Sequence, residues 1–119
     1  LSAAHYKLDN LCAIIDKNGM QITAPTADVM NTDPLDAKWK AFGWAVREVD
    51  GNDVAALKEA FTALPFEKGK PSVIIAKTVK GKGVSFMENQ LKWHHGVPTA
   101  AQYEQAQEEL DEAMRKVEG

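Results

Sequence analysis

The sequence is poor in cysteine, in long apolar runs and in net positive charge, and each shortage excludes a class of protein. Cys12 is the only cysteine among 119 residues, so no internal disulfide can form, and its apolar surroundings favour a buried, reduced thiol. No apolar stretch approaches the roughly 20 residues of a membrane-spanning helix. A net charge of −3 provides no basic surface for nucleic acid. We therefore expect a cytoplasmic protein that binds neither membranes nor nucleic acids.

What is present fits one modest globular domain. Hydrophobic residues make up 45% and charged residues 26% of the chain, which is usual for globular domains, and the length suffices for a single core. The chain begins at Leu1 with no initiating methionine and no signal-like segment, and residues 1–5 have the pattern of a helix interior. We expect that an upstream segment is missing.

Strand-like and helix-like segments alternate along the chain. Residues 11–15 and 72–76 are short apolar runs, typical of parallel strands buried on both faces, and residues 44–49 predict a third strand. Residues 33–43 begin with Asp-Pro, an N-cap followed by a first-turn proline, and end in glycine. Residues 53–64 begin with an aspartate cap and carry apolar residues at helical spacing.

The last helix is predicted from a capping box, because Thr99 and Gln102 have the spacing at which each side chain caps the other's backbone N–H. The whole order predicts an α/β fold, with a partial parallel sheet and flanking helices. In open sheets of this kind, ligands bind beyond the carboxyl ends of the strands. The candidate site therefore lies in the loops at 16–22, 50–53 and 78–98.

The loop at 16–22 offers oxygen ligands for a metal ion. It carries the Asp16 carboxylate, the Asn18 amide and free main-chain carbonyls directly after a predicted strand. Magnesium prefers oxygen ligands in octahedral geometry and is often completed by phosphate. One amide oxygen and a carbonyl two residues later are a feasible half of such a site. The alternative is a plain turn, since Asn-Gly is a common turn dipeptide.

The loop at 78–98 combines basic residues, glycines and histidines. Residues 78–83 read Thr-Val-Lys-Gly-Lys-Gly, in which glycine permits close approach to a phosphate and lysine supplies charge, although a solvated loop has the same composition. His94 and His95 follow Trp93 and precede a Gly-Val-Pro turn. Adjacent histidines rarely bind one metal, so one of them should face a cleft while the other packs outward. A pair of surface histidines is the alternative.

Taken in order, these segments resemble transketolases. Residues 8–22, which end Asp-Lys-Asn-Gly-Met-Gln-Ile, are similar to the end of the thiamine diphosphate motif, whose start is Gly-Asp-Gly. The segments 75–83 (Ile-Ala-Lys-Thr-Val-Lys-Gly-Lys-Gly) and 95–98 (His-Gly-Val-Pro) continue the pattern. The resemblance implies that residues 1–119 are the carboxy-terminal portion of a thiamine-diphosphate-binding domain, similar to the amino-terminal subunit of two-chain transketolases. The Gly-Asp-Gly segment would then lie upstream.

The resemblance also implies roles for five residues. Asn18 would bind Mg²⁺ (or Ca²⁺) through its side-chain oxygen, and Met20 would bind it through its main-chain carbonyl. Ile22 would pack against the rings of thiamine diphosphate. His95 would lie near the diphosphate and the donor sugar as a catalytic residue, and Asp16 would lie beside the cofactor.

The implied activity is transfer of a two-carbon ketol unit from a ketose phosphate to an aldose phosphate, with the cofactor as electron sink. Sugar phosphates would be the substrates, and a C-terminal transketolase subunit or domain would complete the site in a homo-oligomer or heterotetramer. The aspartate ligand and the activating glutamate of the family are not in this sequence, so the chain alone should be inactive. The alternatives are a 1-deoxyxylulose-5-phosphate synthase and a catalytically silent interaction module.

Overall fold

The structure, a computed structural model, describes residues 1–118 and confirms an α/β architecture. Its elements in chain order are α1 Ser2–His5, β1 Cys12–Lys17, β2 Met20–Gln21, β3 Ala24–Pro25, α2 Thr26–Val29, α3 Leu35–Ala41, β4 Ala45–Asp50, α4 Val54–Thr62, β5 Ser72–Lys77, a 3₁₀ helix at Leu91–His94 and α5 Ala100–Glu118. Strands β1, β5 and β4 form a sheet in that order, and both pairings are parallel. The three predicted strands are therefore present, each within two residues of its predicted bounds.

Strand β5 is the centre of the core. Val73, Ile74 and Ile75 are fully buried in this central strand, and Ile74 packs in one cluster with Ala60. Ile74 is in register with Ile14 of β1 and with Arg47 of β4. Each buried aliphatic side chain of this kind contributes about 1.5–3 kcal/mol to stability. The prediction that this strand is buried on both faces is confirmed.

The same prediction is wrong for β1. Ile14 is 57% exposed, and burial alternates along the second half of that strand. The helices in closest contact with the sheet, α3 and α4, lie against β4 rather than β1. The face of β1 that carries Ile14 is therefore open within residues 1–118, although the strand itself forms as predicted.

Two of the three predicted helix starts are confirmed. At the start of α4, Asp53 accepts hydrogen bonds from the backbone N–H groups of Ala55 at 2.8 Å and Ala56 at 3.1 Å. At the start of α5, Thr99 N donates to Gln102 Oε1 at 3.0 Å and Gln102 N donates to Thr99 Oγ1 at 3.3 Å.

Neither α5 nor any other helix within residues 1–118 is long and apolar enough to cross a membrane.

The third predicted helix start is wrong. Pro34, and not Asp33, occupies the N-cap position of α3. The Asp33 carboxylate instead forms an ion pair with Lys17 at 2.5 Å, and the hydrogen bond from Lys17 lowers the pKa of Asp33. This contact ties the segment before α3 to the end of β1.

Short elements that were not predicted lie between the main strands and helices. β2 and β3 form an antiparallel hairpin in which Met20 is opposite Pro25, and α2 follows it directly. The 3₁₀ helix at Leu91–His94 lies within the loop at 78–98. These elements give a fixed shape to the backbone at the carboxyl edge of the sheet, where the candidate site lies.

Candidate functional site

The loops after β1 and β5 enclose a cavity of ≈ 320 Å³. Its walls come from the β2–β3 hairpin, from the segment that follows β5 and from the 3₁₀ helix. The lining residues are Asn18, Met20, Gln21, Ile22, Lys80, Leu91 and His94. The cavity thus brings together three of the five residues to which the resemblance assigns roles, while Asp16 and His95 are not part of its lining.

The hairpin after β1 brings two oxygen atoms to one side. Asn18 Oδ1 accepts a hydrogen bond from Met20 N at 3.0 Å, so the amide folds over the turn. Met20 is opposite Pro25, which has no N–H to donate to the Met20 carbonyl. The hairpin is instead hydrogen-bonded one position away, where Thr26 N donates to Gly19 O at 2.8 Å. Within a strand, the N–H and C=O groups of one residue point to the same side. The Met20 carbonyl therefore faces the side on which the Asn18 amide lies.

These two oxygens fit part of a Mg²⁺ or Ca²⁺ site. Both ions bind amide and backbone carbonyl oxygens, and Mg²⁺ is commonly completed by phosphate and water. Asn18 Oδ1 has a second lone pair available besides the one that Met20 N occupies. Within residues 1–118, no three His, Cys, Asp or Glu side chains are grouped as metal ligands. Asn18 and Met20 are therefore suited to hold a metal that takes its remaining ligands from a phosphate and from elsewhere.

Ile22 supplies an apolar part of the cavity wall. It lies at the turn between β2 and β3 and is 67% exposed, so it adds little to the core of this chain. Leu91 lines the same cavity from the 3₁₀ helix. The two side chains offer apolar surface to a ring of a bound ligand.

The segment after β5 is folded so that Lys80 lines the cavity. Asn89 N donates to Lys80 O at 2.9 Å. Gly81 has φ +74°, and a Cβ there would lie 2.7 Å from a backbone carbonyl oxygen, so the turn requires glycine. Glu88 accepts a hydrogen bond from Gly83 N at 3.1 Å, and this bond lowers the pKa of Glu88. The lysine of this glycine-flanked segment thus lies against the same cavity as Asn18 and Met20.

The two histidines have different positions. Trp93 fixes their segment, because its Nε1 donates to Phe86 O at 2.9 Å and its ring lies 5.4 Å from the Phe86 ring. His94 ends the 3₁₀ helix and lines the cavity, whereas His95 follows outside the lining. Their ring centroids are 4.4 Å apart and the ring planes are inclined at 76°. The motif singles out His95, but the histidine that lines the cavity together with Asn18 is His94.

Asp16 contacts the neighbouring strand. Its Oδ1 accepts a hydrogen bond from Thr78 Oγ1 at the end of β5. Three lining residues, Gln21, Lys80 and Leu91, were assigned no individual role from the sequence. The sequence feature that pointed to Lys80 was the glycine-containing basic segment directly after a predicted strand. Leu91 had no such signal, because only the folding of 78–98 brings it to the cavity.

Comparison with known proteins now identifies the family. The family described as transketolase, thiamine diphosphate binding domain, matches residues 1–114. The chain belongs to the transketolase family. The transketolase resemblance seen in the sequence is thereby confirmed.

Two relatives show how much of a transketolase polypeptide the chain represents. It is 46% identical over 118 residues to one of the subunits of the apulose-4-phosphate transketolase of Phocaeicola vulgatus, in a match that covers 99% of this chain and 42% of that protein. It is 39% identical over 105 residues to the 6-deoxy-6-sulfo-D-fructose transketolase subunit SqwG of Clostridium sp. strain MSTE9, in a match that covers 88% of this chain and 38% of that protein. The chain spans less than half the length of these relatives.

A solved transketolase has the same fold. The enzyme from Campylobacter jejuni matches with a TM-score of 0.68 at 24% identity, over 97% of this chain and 22% of that chain. The enzyme from Leishmania mexicana matches with a TM-score of 0.64 at 23% identity, over 97% of this chain and 20% of that chain. At this level of identity, the matches show the fold alone. They establish that the parallel sheet and its helices form a transketolase-type α/β unit.

Proposed function

We propose that this chain binds the diphosphate of thiamine diphosphate within a transketolase that transfers a two-carbon ketol unit from a ketose phosphate to an aldose phosphate. The observation that carries the proposal is the cavity that joins Asn18, Met20 and Ile22 to Lys80 and His94. It combines oxygen ligands, an apolar wall and cationic or hydrogen-bonding groups. A diphosphate attached to an aromatic ring system requires this combination of groups.

The proposed site holds the diphosphate through two sets of groups. Asn18 and Met20 would hold Mg²⁺ (or Ca²⁺), whose remaining coordination positions suit diphosphate oxygens. Lys80 and His94 would bind phosphate oxygens directly, through charge-assisted hydrogen bonds. Ile22 would pack against the cofactor's rings. Thiamine diphosphate, when bound, supplies the electron sink of the transfer, and the residues of this chain position it.

His95 has a separate role in this proposal. It directly follows His94 but does not line the cavity, and its side chain is exposed. We propose that this exposed imidazole, next to the proposed diphosphate site, donates a hydrogen bond to the donor sugar. We therefore assign His95 to donor binding and turnover, and His94 to cofactor binding.

The substrates we propose are anionic sugars of the sugar-phosphate class. The names of the two relatives specify apulose-4-phosphate and 6-deoxy-6-sulfo-D-fructose, so an anionic sugar is common to both. Because both relatives are named as subunits of a transketolase, we propose that a C-terminal transketolase subunit or domain completes the site, in a homo-oligomer or heterotetramer. A cytoplasmic location agrees with the single cysteine, whose pKa is raised by burial, as suits a reduced thiol.

The test is a reconstituted assembly of this chain with its partner subunit. Thiamine diphosphate is titrated at low and high Mg²⁺, and ketol transfer is measured with ribose-5-phosphate as the acceptor. Pyruvate with glyceraldehyde-3-phosphate is the parallel assay, and product formation only in that assay would identify a 1-deoxyxylulose-5-phosphate synthase instead. An assembly that forms but binds no thiamine diphosphate would establish the silent interaction module.

A further inference from the structure

The loops at the carboxyl edge of the sheet are joined by side-chain hydrogen bonds. Thr78 Oγ1 donates to Asp16 Oδ1, which links the end of β5 to the end of β1. Val79 N donates to Asn52 Oδ1 at 2.7 Å, which links the same segment to the turn after β4. We name Asp16, Asn52 and Thr78 the polar clasp. One acceptor lies in β1 and the other in the turn after β4, the two strands that flank β5, so the segment leaving β5 is held from both sides.

The Thr78 side chain is held by close packing as well as by the hydrogen bond of its hydroxyl group. Gly51 N donates to Lys77 O at 2.7 Å. A Cβ on Gly51 would lie 2.5 Å from Thr78 Cγ2 and 2.9 Å from Ala76 Cβ, well inside the usual carbon–carbon contact of about 3.5–4.0 Å. Glycine at this position therefore leaves room for the threonine methyl group. Because a β-branched side chain has few χ1 rotamers, that packing also fixes the direction of Oγ1 toward Asp16.

Lys80 follows this fixed segment and lines the cavity. Its backbone is held on the other side as well, since Asn89 N donates to Lys80 O at 2.9 Å. Only Val79 separates Thr78 from Lys80, so little backbone freedom remains between the polar clasp and the lysine. The direction in which Lys80 approaches the cavity therefore depends on the hydrogen bonds of the clasp.

We infer that the polar clasp of Asp16, Asn52 and Thr78 is a positioning device that aims Lys80 at the diphosphate. The ligand's identity in this inference rests on the proposed function. The inference gives Asp16 a different role from the cofactor contact that the resemblance implies: its carboxylate acts through Thr78 and Lys80. It also gives the turn after β4 a part in cofactor binding, although Asn52 does not line the cavity.

The variant Thr78→Val tests the clasp, because valine keeps the branched shape that fits against Gly51 but cannot donate to Asp16. Thiamine diphosphate is titrated calorimetrically into the assembly of this chain with its partner subunit, at saturating Mg²⁺. We expect the Kd to rise about tenfold, by analogy with residues that orient metal ligands, whose loss costs about 10–100-fold in affinity or activity. Thr78→Ser, which retains the hydroxyl, should restore most of the affinity. Thr62→Val is the matched control, since its exposed hydroxyl donates to Lys58 O at 2.8 Å within α4, and it should leave the Kd unchanged.

A double-substitution cycle with Lys80→Ala separates positioning from general stabilisation. If the clasp acts through Lys80, Thr78→Val has little further effect on the Kd once Lys80 is alanine, and the two effects are not additive. Equal losses in both backgrounds would overturn the inference, and so would an unchanged Kd in Thr78→Val alone. Asp16→Asn keeps an acceptor oxygen and should remain near wild type. A large loss there would instead establish a direct contact of the carboxylate with the cofactor or metal.

Two further controls distinguish a failure of the proposed function from a failure of the polar clasp. If Thr78→Val does not assemble, Asn52→Ala takes its place, because it removes the acceptor of Val79 N, and the same outcomes apply. A wild-type assembly that binds no thiamine diphosphate overturns the proposed function and this inference with it. A wild-type assembly that binds while Thr78→Val and Asn52→Ala bind equally well overturns the clasp alone.

Discussion

His94 and His95 are adjacent in sequence but differently placed, and replacing each with alanine tests the proposed cavity. We expect His94→Ala to weaken thiamine diphosphate binding, because His94 lines the cavity with Asn18 and Lys80. A hydrogen bond to a charged group contributes about 1.5–3 kcal/mol, which corresponds to about 10–150-fold in Kd. The His94 side chain is exposed, so solvent screening places the expected loss at the lower end, about tenfold.

The assay separates cofactor binding from turnover. Thiamine diphosphate is titrated into the reconstituted assembly at saturating Mg²⁺, and kcat and the donor KM are then measured at saturating cofactor. His94→Ala should raise the cofactor Kd and regain most of its turnover when cofactor is in excess. His95→Ala should leave the cofactor Kd within about twofold of wild type, a difference of less than 1 kcal/mol, and lower kcat or raise the donor KM. His5→Ala is the control, because His5 lies in α1 edge-to-face on Tyr6 at 4.9 Å and outside the cavity lining.

One result would refute the reasoning from the cavity. If His94→Ala binds the cofactor as wild type does and His95→Ala does not, the His-Gly-Val-Pro register identifies the diphosphate histidine, and the position of His94 on the cavity wall is irrelevant. Equal losses of cofactor affinity in both variants would contradict the separate roles. Any loss in His5→Ala would show that the assay reports assembly rather than the site.

Three other contacts give further predictions. Asn18→Ala should weaken cofactor binding at limiting Mg²⁺ and recover at high Mg²⁺, and equal affinity at limiting Mg²⁺ would leave Asn18 a turn residue. Gly51→Ala should lower the free energy of unfolding by about 1–3 kcal/mol, because its Cβ would lie 2.5 Å from Thr78 Cγ2; an unchanged urea midpoint would contradict this. Hydrogen bonds from Ser85 lower the pKa of Glu109, so their contribution to stability is complete above the ordinary glutamate pKa of about 4.3 and is lost as the pH falls through the lowered value. Glu109→Gln should flatten the acid side of the stability profile, and an unaltered profile would exclude the contact.

The sequence predicted those features whose signal is local. The strand predicted at 72–76 is Ser72–Lys77, and the caps of α4 and α5 are formed by neighbouring residues, so both could be found without the fold. The exposure of Ile14 could not be predicted from the sequence, because the burial of a strand depends on which helices pack over it. Asp33 was expected to cap a helix, but its partner Lys17 comes from a distant part of the sequence. The position of His94 on the cavity depends in the same way on how the segment 78–98 folds.

The two sides of the cavity should contribute to cofactor binding through different physics. In the proposed site, Asn18 holds the diphosphate through a metal ion, so its contribution should depend on the Mg²⁺ concentration. In the same proposal, Lys80 and His94 contact the phosphate oxygens directly in an open cavity, where salt screens charges beyond about 8 Å at roughly 0.15 M ionic strength. β1 and β5 are adjacent parallel strands, in register from Cys12–Ser72 to Lys17–Lys77, and their backbones are separated by about 4.8 Å. Because the turn with Asn18 and Met20 follows one strand and the basic segment with Lys80 follows the other, the pairing that builds the core also brings the proposed metal ligands and the lysine to one cavity.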